Sequence, residues 1–435
     1  VSRALIVNAA SPEGALAAAA LSGHDLTTLD AGLPDQAAWD DFAAKAEAQG
    51  HGFDVIVHCP RGGEGPDGVE DEILSAWLTA KFANRICAPG EPALITLLRQ
   101  AEGTGAIDTE AAANGIRYAT WSAMLDASKR DVHLRSNRLT LAPGTTPEQI
   151  VAALQMLADT RASFIAGADI RLEPASGTAP STSLAGKAVL VTGATSGIGR
   201  ASAIEIGRQG GFVFVGGRKP DLAEETLALV REAGGDGAFI RLDVTDTSAW
   251  EAAAATIRER HGALNGLVNN AGEAKNLPIE DLNEDVPRFL VQLNYGGSRR
   301  GMDVLLPLLE AGQGSVVNVA SVAGMRAGFG GSAYGASKAA IIGLSQSYDQ
   351  AIAAPRKVRV NAIQPGLIWS DSVTDSLGEE GARQFRAMIE GKTPIGRVGT
   401  PDEVGRFVAF LVSDAAAGIH GQALPVSGGL ELVHP

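Results

Sequence analysis

Short apolar runs bounded by glycine or polar residues, each followed by residues at helical spacing, recur along the 435-residue chain. A strand covered on both faces carries a continuous apolar run rather than an alternation, so such runs read as strands of a parallel sheet. In the second half, Val189–Val191, Gly211–Val215, Phe239–Leu242, Leu267–Val268 and Val316–Val319 fit this pattern, and Arg200–Ile206 has the spacing of a helix. In the first half, Ala4–Val7, Phe53–Val57, Ala93–Leu98 and Arg138–Leu141 read as strands. Ala15–Leu21 there reads as a helix start and Ile73–Ala83 as a helix. Strands that alternate with helices predict an α/β protein.

The two halves also echo each other. Asn137-Arg-Leu-Thr-Leu-Ala-Pro-Gly144 resembles Arg359-Val-Asn-Ala-Ile-Gln-Pro-Gly366, and Thr146-Pro-Glu-Gln-Ile150 resembles Thr400-Pro-Asp-Glu-Val404. The second match runs on without a gap and pairs Leu157 with Leu411, Ile165 with Ile419 and Gly167 with Gly421. Between the halves, Pro, Gly, Ser and Thr cluster in Glu173-Pro-Ala-Ser-Gly-Thr-Ala-Pro-Ser-Thr-Ser183, which has little to bury. The predicted organisation is a domain over 1–173, a linker over 174–183 and a domain over 184–435.

One stretch carries the chemistry. After the strand Val189–Val191, Thr192-Gly-Ala-Thr-Ser-Gly-Ile-Gly199 forms a glycine turn that opens a helix. Glycines let a backbone approach a pyrophosphate, and the helix N-terminus offers free N–H groups and a positive dipole end. The second domain is therefore expected to be a Rossmann-type doubly wound parallel sheet that binds a dinucleotide. Gly193, Thr195, Ser196, Gly197, Ile198 and Gly199 form its cradle. The next strand ends in Gly216-Gly-Arg-Lys219, with no acid to take a ribose 2′-hydroxyl. Arg218 and Lys219 suit a 2′-phosphate instead, so NADP(H) is the expected cofactor, with NAD(H) possible. Asp243 and Val244 follow the third strand, and Asn270, Ala271 and Gly272 follow the fourth, where small residues let a ring lie against backbone.

The corresponding stretch of the first half, Ala4-Leu-Ile-Val-Asn-Ala-Ala-Ser-Pro-Glu-Gly14, lacks the turn glycines. Pro12 removes an N–H there, and Glu13 sets a negative charge where a pyrophosphate would lie. His58-Cys-Pro-Arg61 stands in place of Asn269-Asn-Ala-Gly272, and Tyr118 has Ser122 rather than lysine four residues on. The first domain reads as a degenerate Rossmann-like copy without a cofactor site.

Composition narrows the partners. A net charge of −14 argues against nucleic acid and anionic membranes, and no apolar run is long enough to cross a bilayer. The start of the chain lacks a signal-peptide plan, Cys59 and Cys87 have no metal or redox spacing, and the seven histidines are scattered. A soluble, cytoplasmic protein without a metal site is expected, with a small molecule as its partner.

Ser332-Ala-Tyr-Gly-Ala-Ser-Lys338 puts Tyr334 and Lys338 four apart, on one face of a helix, and Ser321 ends the preceding strand. A free tyrosine has a pKa of about 10 and exchanges protons poorly at neutral pH, and an adjacent ammonium favours the phenolate. Tyr334 then serves as general acid or base, and Ser321 hydrogen-bonds an oxygen as charge moves onto it.

These motifs, together with Asn294 and Pro365-Gly366, make residues 184 to about 431 resemble a classical short-chain dehydrogenase/reductase. The two-part layout more loosely resembles the high-molecular-weight 3-oxoacyl reductases. The resemblance implies that Lys338 also binds the nicotinamide ribose and that Asn294 holds a water that relays protons to it. It makes Ile368 and Ser370, after Pro365 and Gly366, contacts of the nicotinamide amide, and residues 371 to about 395 a mobile substrate lid. Arg326, Phe329 and Trp369 are placed to face substrate, and Glu273 stands where an apolar residue is usual.

The expected activity is hydride transfer between NADP(H) and a ketone or secondary alcohol. A narrower alternative is reduction of 3-oxoacyl thioesters. Leu308-Leu-Glu-Ala-Gly-Gln-Gly314 lacks basic residues for a carrier protein, while Arg356-Lys357 keeps that option. A non-catalytic dinucleotide sensor is the reading from another class. Because the echo is clearest over 146–172 and 400–426, where the family pairs its subunits, the first domain is expected to replace a neighbouring subunit within a homodimer.

Overall fold

The computed structural model describes residues 2–30, 35–50, 52–61, 65–100, 105–129, 132–175 and 180–433. Residues 176–179, within the expected linker, lie outside them. The chain divides into two compact units. Unit 1 comprises Val1–Thr178, Ala387–Arg397 and Gly428–Pro435, and unit 2 comprises Ala179–Arg386 and Val398–Ser427.

Unit 1 is built on strands β1 (Arg3–Val7), β2 (Asp25–Leu29), β3 (Val55–His58), β4 (Ala93–Arg99), β5 (Arg135–Leu141) and β6 (Asp169–Leu172). They pair in parallel in the order β2-β1-β3-β4-β5-β6. Unit 2 is built on β7 (Ala188–Thr192), β8 (Phe212–Gly217), β9 (Asp236–Arg241), β10 (Gly266–Asn269), β11 (Ser315–Val319), β12 (Arg359–Pro365) and β13 (Ala423–Val426). Their order is β13-β12-β11-β10-β7-β8-β9, again all parallel. Both sheets are Rossmann-type, as the alternating pattern predicts. The sheets differ by one edge strand: among the described residues, unit 1 has no counterpart of β9 and its following helix, and passes from β2 to β3 through the helix Gln36–Ala48.

The central strands are apolar and buried, as in β7 and β10, where every residue is buried. Strand β2 eluded the pattern because it is an edge strand of mostly exposed residues, Asp25-Leu-Thr-Thr-Leu29. The run beginning at Phe53 becomes a strand only at Val55, with Phe53 forming an isolated bridge to Cys87.

The internal echo is a repeat of hydrogen bonds. Arg135 Nη1 donates to Leu157 O at 3.1 Å, and Arg359 Nη1 donates to Leu411 O at 3.0 Å. Asn137 Nδ2 donates to Ile165 O at 2.9 Å, and Asn361 Nδ2 to Ile419 O at 2.8 Å. Thr146 with Gln149 and Thr400 with Glu403 form matching capping boxes. These bonds correct the expected register of the first match by two residues: Asn137 corresponds to Asn361, not to Arg359. The Pro-Gly pairs misled the comparison because the connections after the strands differ. Five residues separate β5 from the helix Pro147–Ala158, whereas residues 366–400 separate β12 from the helix Pro401–Val412.

Candidate functional site

A doubly wound sheet opens at its carboxyl edge where the strand order reverses, and ligands bind there. In unit 2 that place lies between β7 and β10. Strand β7 ends at Thr192 and the helix Gly197–Arg208 follows. Gly193 and Gly197 both have positive φ, 61° and 50°, which suits glycine alone. A Cβ on Gly199 would strike Gly193 O and Asn270 Nδ2, whereas one on Gly197 would meet nothing within 4 Å. The turn is thus tight behind and open in front. Ser196, at the N-cap, makes no side-chain cap bond. The free helix N-terminus, the open face at Gly197 and the uncommitted cap fit a pyrophosphate.

The fourth strand end locks this turn. Thr192 Oγ1 accepts the N–H groups of Asn270 and Ala271, each at 3.0 Å, and Asn270 Nδ2 donates to Thr192 O at 3.0 Å. Arg200 Nη2 donates to Thr195 O at 2.7 Å. The sequence reading placed neither Thr192 nor Arg200 in the site; Thr192 sits inside the motif, but its hydroxyl serves a strand distant in sequence.

At the end of β8, Arg218 is exposed and its nearest acid is Asp243, 4.0 Å away. Asp243 is held elsewhere, accepting from Thr245 N at 3.0 Å and Thr245 Oγ1 at 2.7 Å. Those bonds, with a smaller part from Arg218, keep its carboxyl below the usual range. Lys219 is exposed at the N-cap of the helix Pro220–Glu232. Val244 is buried, and its carbonyl accepts from the indole of Trp250 at 3.0 Å.

The hydroxyl and amine groups meet beyond β11. Ser321 starts a short turn there, and its Oγ accepts from Ala323 N at 3.1 Å. The Ser321 hydroxyl acts on the Tyr334 phenol, favouring its ionised form. Lys338 is buried one helical turn on from Tyr334, with Nζ 5.7 Å from the phenol ring centre, and it donates to Val319 O at 2.8 Å. Burial lowers the Lys338 pKa to about 8. Burial also raises the Tyr334 phenol, against the opposing effect of the Ser321 hydroxyl. The expectation that Lys338 depresses this phenol is therefore not met in the structure: burial sets the direction of its pKa, and the ammonium is bound to a carbonyl.

Asn294 lies in a π-helical turn, Val291–Gly296, and is 1% exposed. Its Oδ1 accepts from Glu273 N at 3.0 Å, while its Nδ2 donates to Glu273 O at 3.0 Å and to Ser337 Oγ at 2.9 Å. Both amide hydrogens are engaged, so the side chain ties the Glu273 backbone to the Ser337 hydroxyl. This contact explains Glu273 as well: its backbone is clamped and its side chain is exposed, which leaves residue type free. Ser337, which the sequence reading passed over, joins Asn294 to the tyrosine turn by donating to Tyr334 O at 2.7 Å.

After β12, Gly366 N donates to Val426 O at 3.0 Å, and Ile368 bridges to Gly399. Ser370 O accepts from Val373 N at 3.0 Å at the start of the helix Asp371–Glu390. That helix is broken at Gly378, and the Arg386 guanidinium lies 5.0 Å from the Trp369 ring centre. Phe329 is 95% exposed, Arg326 half-buried. Among the described residues no group of three or more His, Cys, Asp or Glu is placed to hold a metal, and no helix is long and apolar enough to cross a membrane.

A family model described as Enoyl-(Acyl carrier protein) reductase matches residues 193–431. The chain belongs to the classical short-chain dehydrogenase/reductase family. As a member, it is an oxidoreductase of alcohols and ketones, and the family works with nicotinamide dinucleotides. A cyclopentanol dehydrogenase of Comamonas testosteroni is 34% identical over 247 residues, 56% of this chain and 96% of that one. A 3-oxoacyl-[acyl-carrier-protein] reductase of Thermotoga maritima is 33% identical over 252 residues, 57% of this chain and 98% of that one. A crystal structure provisionally described as a short-chain alcohol dehydrogenase of Sinorhizobium meliloti 1021 superposes with a TM-score of 0.55 at 30% identity. It covers 59% of this chain and 100% of its own.

Proposed function

We propose that this short-chain dehydrogenase/reductase transfers a hydride between NADP(H) and a ketone or secondary alcohol. The observation that carries the reading is Tyr334 with Lys338 buried one helical turn on, its Nζ 5.7 Å from the phenol ring centre, and Ser321 acting on the phenol, at the carboxyl edge that also holds the open glycine turn. Gly193, Thr195, Ser196, Gly197, Ile198 and Gly199 would hold the pyrophosphate, and Arg218 with Lys219 the 2′-phosphate. Asp243, Val244, Asn270, Ala271 and Gly272 would line the adenosine and ribose side; Pro365, Gly366, Ile368 and Ser370 the nicotinamide. When bound, NADP(H) supplies or receives the hydride.

Tyr334 gives its proton to the carbonyl oxygen in reduction and takes it back in oxidation. Ser321 would hydrogen-bond that oxygen as charge moves onto it. Lys338, whose pKa lies near 8, still carries its proton at pH 7 and places a cation one helical turn from the phenol. Asn294 keeps the Glu273 backbone and the tyrosine turn in register.

A narrower reading, reduction of a 3-oxoacyl thioester, is favoured by one feature. Phe329, Ile279 and Met325 are exposed at 95%, 66% and 54%, and Leu277 N donates to Gly330 O at 2.9 Å, which brings their two loops together into an apolar rim suited to an acyl chain. Oxidation of NADPH and NADH with cyclopentanone, ethyl acetoacetate and acetoacetyl-coenzyme A, followed by absorbance, tests both readings. Turnover of acetoacetyl-coenzyme A alone selects the narrower one, and no turnover with any of the three rejects both. Two chains are proposed to assemble as a dimer, which light scattering tests.

A further inference from the structure

Residues 371–395, read above as the substrate lid, do not stay in one unit. The helix Asp371–Glu390 runs out of unit 2 at Arg386, and residues 387–397 are part of unit 1, as is the tail from Gly428. Inside unit 1 this end is held by a compact set of contacts. Arg397 grips the Glu91 carboxylate with two nitrogens, Nη2 to Oε2 at 2.9 Å and Nε to Oε1. Its Nη2 also donates to Ser163 Oγ at 2.8 Å, and its guanidinium lies 5.5 Å from the Phe164 ring centre. Burial pulls the Glu91 pKa up, but the Arg397 and Ser163 bonds outweigh it and keep the carboxyl ionised below its usual range. Gly428 N donates to Phe164 O at 2.9 Å, and a Cβ on Gly396 would strike the His133 ring.

The other end of the same segment lies at the proposed nicotinamide contacts. Trp369 stands between Ile368 and Ser370, and Arg386 covers its ring. Only ten residues separate Arg386 from Arg397, and Thr393 within them is tied to Ile389 O at 2.8 Å. Two-pronged guanidinium–carboxylate contacts fix orientation as well as distance.

We infer that the N-terminal unit anchors the C-terminal end of the substrate lid, with Glu91 and Arg397 as its positioning pair. The inference rests on the reading of 371–395 as that lid. It gives the degenerate unit a task in the reaction that needs no ligand of its own.

The test uses the full chain, with ethyl acetoacetate as probe. Glu91→Gln keeps the volume and removes the charge. It should raise the KM for ethyl acetoacetate about tenfold while kcat moves less than about twofold, because ground-state positioning is lost and the reacting groups are intact. Affinity for NADPH, read by fluorescence, should not change. Amide hydrogen exchange should quicken across residues 379–397 and stay the same in β7. Glu91→Asp should recover part of the KM. If Glu91→Gln does not fold, Arg397→Lys keeps the cation, loses the two-pronged grip and carries the same expectations. A folded variant with unchanged KM and unchanged exchange in 379–397 overturns the inference. Loss of NADPH turnover in the wild type would instead reject the proposed function, and the exchange measurement would still decide the anchoring.

Discussion

The turns after β1 and β7 leave equivalent places in two like-ordered sheets, yet they meet solvent differently. After β1, Asn8 takes a positive φ of 62° in place of a glycine, and its Nδ2 donates to Cys59 O at 2.8 Å. Ala10 N donates to Asp30 Oδ1 at 2.9 Å, and Ser11 Oγ caps the helix by accepting from Gly14 N at 3.0 Å. Glu13, buried in the first helical turn behind Pro12, is paired with Arg99 at 2.6 Å. This turn supplies its own acceptors and its own negative charge. After β7, the cap bond is missing, the face at Gly197 is open and no acid stands in the first helical turn. Anion binding thus depends less on the fold than on whether the turn has already satisfied its own N–H groups.

The same contrast runs through the chemistry-bearing helices. Tyr334 is one turn from a buried lysine whose Nζ lies 5.7 Å from its ring centre, while Tyr118 of unit 1 is 77% exposed. Tyr334→Phe should lower kcat by roughly 10²–10⁴-fold, the range of general acid–base catalysis, with NADPH affinity retained. Tyr118→Phe should leave turnover unchanged. Near-normal turnover of Tyr334→Phe would break the contrast, and a loss in Tyr118→Phe would show that unit 1 holds chemistry of its own.

Arg218→Ala probes the second strand end. Removal of a charge-assisted hydrogen bond to phosphate costs about 1.5–3 kcal/mol, so NADPH should weaken by about one to two decades while NADH barely changes. A wild type that prefers NADH contradicts the proposed cofactor.

The third comparison concerns the strand ends β3 and β10. His58 faces Thr96 across the sheet where Asn269 faces Asn318. Asn269 Nδ2 donates to Asn318 Oδ1 at 2.8 Å, whereas His58 has Nε2 at 2.9 Å from Ser75 Oγ and a buried Nδ1 without a partner. Burial lowers the His58 pKa from 6.5 to about 3. The unfolded chain therefore takes up a proton between these values that the folded chain refuses. Stability from this residue is full above pH 6.5 and falls as the pH drops towards 3. Urea unfolding of the wild type should lose about 2 kcal/mol more than His58→Asn between pH 7 and pH 5. Equal losses would remove His58 as the cause.

Much of this contrast is legible in the chain itself. Gly193, Gly197 and Gly199 announce the open turn, and Pro12 with Glu13 announces the closed one, because both act through local backbone geometry and charge. The match of 146–172 to 400–426 is legible because its capping boxes and paired isoleucines are local too. What escaped depends on contacts distant in sequence. The Asn294 amide meets Glu273 backbone, the two-residue shift at Asn137 shows only through its bond to Ile165, and Arg397 reaches back to Glu91. Among the described residues, the lack of a counterpart of β9 in unit 1 could not be seen either, since its neighbour there, β2, carries too few apolar residues to be counted.

The number of dinucleotides bound per chain tests the contrast between the turns most directly. Calorimetric titration of the full chain with NADPH should give one site per chain. Gly199→Val, which drives a side chain into Gly193 and Asn270, should abolish it. Two sites per chain, or a site that survives Gly199→Val in a folded protein, would contradict the account.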